Sequence, residues 1–159
     1  MGYSVIPRQI KADICYGYYN SSATISAGYV VPYNTFVDLI GTSASSYSSN
    51  AGLITFPVGY WYIIYGSIQC NFANGGTAGN AKYRWKDELD NNIGRRGTQI
   101  MQEYPHVTGG DELAVVLIDA TTSQKKAKLV IEHEYYQTVL NSTSNQNLAG
   151  KSRVEIWRI

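Results

Sequence analysis

Charge is scarce in this chain. Lys, Arg, Asp and Glu make up 16% of its 159 residues and nearly cancel at a net +1, where a quarter is usual. So balanced a sequence carries no electrostatic footprint for nucleic acid or an anionic membrane. Long apolar runs are missing too: none approaches the ~20 residues of a membrane-spanning helix. No segment of ten or more residues repeats its apolar positions with a helical period. Only two cysteines occur, Cys15 and Cys70, too few for a disulfide framework in a chain this long. Both sit in apolar, strand-like sequence and are expected as buried free thiols. The opening stretch Met1–Lys11, MGYSVIPRQIK, holds no apolar stretch of the kind a secretory signal needs. Either the protein stays where it is made, or a signal has been removed.

Catalytic patterns are equally thin. The two histidines, His106 and His133, make no His-x-x-x-His or Cys/His spacing for zinc. The oxygen-rich KDELDNN, Lys86–Asn92, lacks the spacing of a calcium loop and reads as a solvated turn. GGTAGN, Gly75–Asn80, lacks the Lys and helix of a phosphate loop and reads as a flexible connection. Arg95 and Arg96 read as surface cations. No Ser/His/Asp set is evident in the sequence. The expectation is a protein that is not an enzyme, with no catalytic residue, no metal and no cofactor.

What the chain does have is 14 tyrosines and 15 glycines. Short β-rich runs alternate with Gly, Asn, Ser and Thr clusters, the pattern of an all-β sandwich or barrel. Strands are expected over Ile14–Tyr19, Tyr29–Val31 with Thr35–Ile40, Tyr60–Cys70, Lys82–Lys86, Thr98–Glu103, Leu113–Ala120, Ala127–Thr138 and Arg153–Ile159. Loops are expected at Gly41–Gly52, Asn71–Asn80, Asp87–Gly97, Thr121–Lys125 and Asn141–Lys151.

The strands are of two kinds. In one, Lys82, Arg84 and Lys86 alternate with Tyr83 and Trp85, and Lys126, Lys128, Glu132 and Glu134 alternate with Ala127, Leu129, Ile131 and His133. Such strands have one wet face and one dry face. The other kind is dry on both faces: Leu113–Ile118, and TFPVGYWYIIYG, Thr55–Gly66. A two-sheet sandwich has one core between its sheets, so a second dry face needs another cover. The economical cover is a further copy of the chain. A tyrosine buries 150–250 Å², worth roughly 4–6 kcal/mol gross before association costs. The other possible cover is the Ser-rich loop Gly41–Gly52.

Two stretches resemble the jelly-roll superfamily of tumour necrosis factor and the globular heads of complement component one, subcomponent q. TFPVGYWYII has that family's Gly followed by an aromatic-rich strand. VTGGDELAVVLI is similar to its Gly-Asp-x-Leu turn into an apolar strand, here Gly110, Asp111, Glu112 and Leu113. SRVEIWRI is similar to its final strand. The resemblance covers roughly Gly52–Ile159. It implies an all-β fold, a two-sheet antiparallel jelly-roll sandwich, assembling as a compact trimer through its inner sheets. The strand reading leaves residues 1–11 ahead of the first strand, as an N-terminal arm or a frayed terminus, with a jelly-roll domain over residues 12–159. The resemblance also implies a register: Tyr60, Tyr62 and Ile64 point to the threefold axis and form the subunit interface, while Trp61, Ile63 and Tyr65 fill the core. Glu155 and Arg158 stand where family members are mostly apolar, and a charge pair near the axis would account for them.

Trimeric jelly rolls of this type occur in tailed bacteriophages as capsid decoration, or cement, proteins and as receptor-binding tips. Both are made in a host cytoplasm where cysteines stay reduced. The expected role is a structural protein on the capsid exterior of a virion, a homotrimer clamping neighbouring major capsid protein subunits. Tyr3, Val5, Ile6, Pro7 and Arg8 form an arm that lies extended on that partner. The alternative is a receptor-binding head whose loops, such as Ser43–Asn50 or Asn71–Asn80, hold a host cell-surface receptor, glycan or protein. A cytokine-like ligand with a lost signal is a third possibility.

Overall fold

A computed structural model describes residues 13–18, 23–68, 70–72, 79–101, 108–134, 138–140 and 152–159. The arm residues Tyr3, Val5, Ile6, Pro7 and Arg8, together with His106, lie outside these. The side chain of His133 is likewise outside the description.

The strands are β1 (Asp13–Tyr18), β2 (Ala23–Ile25), β3 (Thr35–Ile40), β4 (Ser48–Asn50), β5 (Leu53–Phe56), β6 (Trp61–Ser67) and β7 (Cys70–Phe72). They continue as β8 (Gly79–Asp87), β9 (Asn92–Met101), β10 (Thr108–Glu112), β11 (Ala114–Asp119), β12 (Lys125–Glu134), β13 (Thr138–Leu140) and β14 (Arg153–Arg158). One five-stranded sheet runs β11-β6-β14-β1-β3, and one six-stranded sheet runs β10-β9-β8-β12-β5-β4. A small sheet, β2-β13-β7, completes the set. The fold is the antiparallel two-sheet sandwich that the alternation of wet and dry strands predicts.

The core lies between the two large sheets. From the six-stranded sheet come Tyr83, Trp85, Ala127, Leu129, Ile131, Ile54 and Phe56, and from the five-stranded sheet Cys15, Tyr62, Ile64, Ala114, Val116, Val154 and Ile156. Trp85 spans the gap: its indole Nε1 donates to the carbonyl of Ala114 at 3.0 Å. Gly66 makes room for that ring, since a Cβ there would sit 2.8 Å from Trp85 Cζ2. The Tyr83 hydroxyl donates to the Glu112 carbonyl at 2.8 Å, a tie from β8 to β10 within the six-stranded sheet. Val130, the apolar member of a charged strand face, is buried because Val30 bridges to it.

Three expected boundaries move. The run Tyr60–Cys70 is two strands, because β6 ends at Ser67 and Cys70 starts β7 in the small sheet. The loop placed at Asp87–Gly97 is a tight hairpin, and β9 begins at Asn92. The Ser-rich stretch Gly41–Gly52 contains a 3₁₀ turn at Ala44–Ser46 and the short strand β4. It tucks Ser43, Ala44 and Tyr47 into the core, so it does not cover the outer face of the five-stranded sheet. Nor is Ser43–Asn50 an exposed recognition loop throughout, since those three residues face inward.

The register implied for β6 is corrected by one residue. Tyr62 and Ile64 are wholly buried inside a single copy of the chain, so they cannot form a subunit interface. The Tyr62 hydroxyl donates to the Pro57 carbonyl at 2.9 Å, and its ring packs against Phe56 and Tyr47. Tyr60 shares their phase but stands at the open end of the sandwich, with the Arg158 guanidinium 4.6 Å above its ring. The reason lies on β14. Glu155 pairs with Tyr65, and Trp157 pairs with Ile63. Directly opposed residues share a face. A core would not accept Arg153 and Glu155, so β14 turns them outward and takes Tyr65 and Ile63 with them.

Candidate self-association face

The outer face of the five-stranded sheet is built in rows across the strands. Val115, Tyr65, Glu155, Tyr16 and Val37 form one row. Leu117, Ile63, Trp157 and Ile14 form the next. Asp119, Trp61 and Ile159 form a third, with the Trp61 and Ile159 backbones exchanging both hydrogen bonds. Tyr65 and Trp157 meet edge to face with centroids 6.4 Å apart. Leu117 is 59% exposed and Trp61 41%. Large apolar side chains on one contiguous sheet face mark an interaction surface. The edge strand β3 adds Val37, Leu39 and Ile40, all exposed.

A second cluster closes the end of the sandwich. The Asp13 carboxylate pairs with Arg158 and accepts from Thr42 N–H at 3.1 Å. Gly41, at φ 88°, runs so close to Asp13 that no side chain fits there. Asp38 accepts from Ala44 N–H at 2.7 Å. Beside them Cys15 is fully buried. Burial pushes its thiol up to about 12, helped by the charges of Asp38 and Asp13. Such a thiol is inert, because only the thiolate reacts. Burial also pushes Tyr62 up to about 12 against the opposing charge of Arg158, and it raises Tyr33 and Tyr47.

These shifts set a pH dependence. All four groups hold their protons more tightly folded than unfolded, so their contribution is complete below the unfolded values of 9.0 for the thiol and 10.0 for the phenols and falls as pH rises toward about 12. Thermal melting should shift down across that window, with tyrosinate absorbance appearing together with unfolding. A melting temperature flat to the top of the window would contradict the buried placement. A thiol reagent at neutral pH should leave Cys15 unmodified until the chain unfolds.

Elsewhere the polar groups satisfy one another locally. Asp87 Oδ1 accepts from the N–H groups of Leu89 and Asn91, both at 2.9 Å, and Oδ2 from Asn91 Nδ2. Asp90 pairs with Lys128 at 2.8 Å. The Asn91 side chain holds Asp87, and the Lys128 side chain holds Asp90, below the usual carboxylate range. The turn's oxygens are thus committed within the chain. Among the described residues no group of three or more His, Cys, Asp or Glu is placed to hold a metal ion. Glu132 takes both Arg84 and Arg96, and Arg95 reaches Glu112 at 3.7 Å. A cleft of about 390 Å³ between Asp87, Ile93, Leu117, Asp119 and Lys125 is lined by carboxylates already bonded to their own turns.

No family model matches the chain. No curated protein matches it significantly. Eighteen chains of known structure do match. One is the structure of Eiger TNF from S. frugiperda, with a TM-score of 0.50 and 6% identity, covering 93% of this chain and 91% of that one. At so low an identity the likeness is one of fold. In architecture this chain is a tumour-necrosis-factor-like jelly-roll sandwich.

Proposed function

We propose that this chain is a non-enzymatic structural protein of a virus particle. Three copies associate through the outer face of the five-stranded sheet. The trimer decorates a capsid exterior and clamps neighbouring subunits of the major capsid protein. The observation that supports assembly is the exposed apolar face carrying Trp61, Ile63, Tyr65, Leu117 and Trp157. These residues take the interface role first assigned to Tyr62 and Ile64. The strand β3, outermost of its sheet among the described residues and carrying exposed Val37, Leu39 and Ile40, supports a second contact, since an edge strand accepts a strand from a partner. The capsid role itself is supported by the resemblance to a jelly-roll superfamily whose trimeric architecture also occurs in phage decoration proteins, and by the thinness of catalytic patterns in the sequence.

Two measurements test the reading. Light scattering on the isolated protein should give three times the 17.6 kDa of one chain; a stable monomer overturns the assembly. Purified capsids should then take up the protein in many copies per particle. Binding to host cells and not to capsids overturns the decoration role in favour of a receptor-binding head.

A further inference from the structure

The outer face is largely apolar, but its central strand carries two charges. β14 is the central strand of the five. It places Arg153 and Glu155 on that face two residues apart, ~7 Å along the strand, and both are half-buried. Trp157 Nε1 donates to Glu155 Oε1, which draws the carboxylate toward Trp157 and away from Arg153. Among the described residues the Arg153 side chain has no acidic partner, and Glu155 receives only that one donor. The other charges nearby are engaged: Asp119 is held by Thr121, and Arg158 turns to the opposite side to meet Asp13. Arg153 is also fixed in place. Its carbonyl, like that of Ser67, lies 3.2 Å from the buried Tyr33 hydroxyl.

Any cover on this face strips water from both charges, at several kcal/mol per ion unless they are paired. An apolar partner leaves both unmet, and a partner of one sign leaves one. A second copy of the chain brings both signs at the same spacing. We infer that Arg153 and Glu155 pair between copies, the Arg153 of one copy meeting the Glu155 of the next, and that this contact sets the register of self-association. In a closed ring each Glu155 takes the neighbouring Arg153, and no charge is left over. The inference rests on the assembly proposed above. It adds which residues dictate how copies align, a role that interface charges fill better than they add affinity.

The test uses Arg153→Glu and Glu155→Arg, made singly, together in one chain, and as a mixture of the two single variants. Circular dichroism confirms the sandwich in each, and light scattering reads association. Each single variant should associate on the order of thirtyfold more weakly. The doubly exchanged chain should recover fully, and the mixture should associate more strongly than either component alone but less than wild type, because a ring of three built from two variants regains opposite charges at two of its three contacts. Recovery in the mixture separates pairing between copies from pairing within one. A monomeric wild type overturns the proposed assembly and this contact with it. A wild type that assembles, with single variants that assemble equally well or a mixture that does not recover, overturns the contact and leaves the assembly standing. If charge reversal unfolds the chain, Arg153→Gln and Glu155→Gln serve instead. Salt should weaken wild-type association and have little effect on either glutamine variant; equal salt dependence in all three overturns the pair.

Discussion

Trp61→Lys and Tyr62→Lys should have opposite consequences although the residues are adjacent. Tyr62 is wholly buried and spends its hydroxyl on the Pro57 carbonyl. A lysine there places an unpaired ammonium in the core and leaves that carbonyl orphaned. The cost, about 5 kcal/mol or more, matches the entire stability of a small domain, so the chain should be unfolded by circular dichroism at room temperature. Trp61 faces outward and is 41% exposed. A lysine there loses part of a packed ring, about 1 kcal/mol in the single copy. It also puts a charge into the face proposed above for self-association. Folded monomers are the expected product. Folded Tyr62→Lys protein, or unfolded Trp61→Lys protein, would show that the phase of β6 is wrong.

Trp85→Ala should be among the most damaging core substitutions. It removes the largest wholly buried side chain among the described residues, the indole that donates from β8 to the Ala114 carbonyl. Large-to-small changes of this kind cost roughly 3–5 kcal/mol. Gly66→Val errs in the other direction. Its Cβ would sit 2.8 Å from the indole and 3.2 Å from Leu129 Cδ1, and overpacking costs roughly 1–3 kcal/mol. Because the two residues share one space, combining Gly66→Val with Trp85→Phe should cost less than the sum of the separate changes in urea denaturation. Strict additivity would mean that Gly66 is small for some other reason than the ring.

Much of the sandwich was legible because β8 and β12 of its six-stranded sheet alternate cleanly. Lys82, Arg84 and Lys86 against Tyr83 and Trp85 leave one reading, and the structure buries the aromatic pair. β6 is different. Both of its phases are apolar, so a strand period alone cannot choose between them. Borrowing the phase from a resemblance chose the wrong one. The deciding signal was present in SRVEIWRI, where Val154 and Ile156 alternate with Arg153 and Glu155. It became usable only once β14 was known to lie beside β6 with Glu155 opposite Tyr65. Pairing between strands so far apart in the chain is not written in local sequence. The Ser-rich stretch misled for a related reason: its composition says loop, while Tyr47 within it is a core aromatic.

The place of β14 also governs how the molecule comes into being. It is the last of the described strands and the middle one of its sheet. Without it that sheet is two separate ribbons, β1 with β3 and β6 with β11. The tie between Asp13 and Arg158 joins residues 145 positions apart. Closing so large a loop is slow. A nascent chain therefore carries two half-sheets with open, apolar edges, which are prone to wrong pairing, until synthesis delivers β14. The five-stranded sheet is whole only once β14 is in place, and an interruption of translation just short of Arg153 should yield an aggregating product rather than a slightly weakened one.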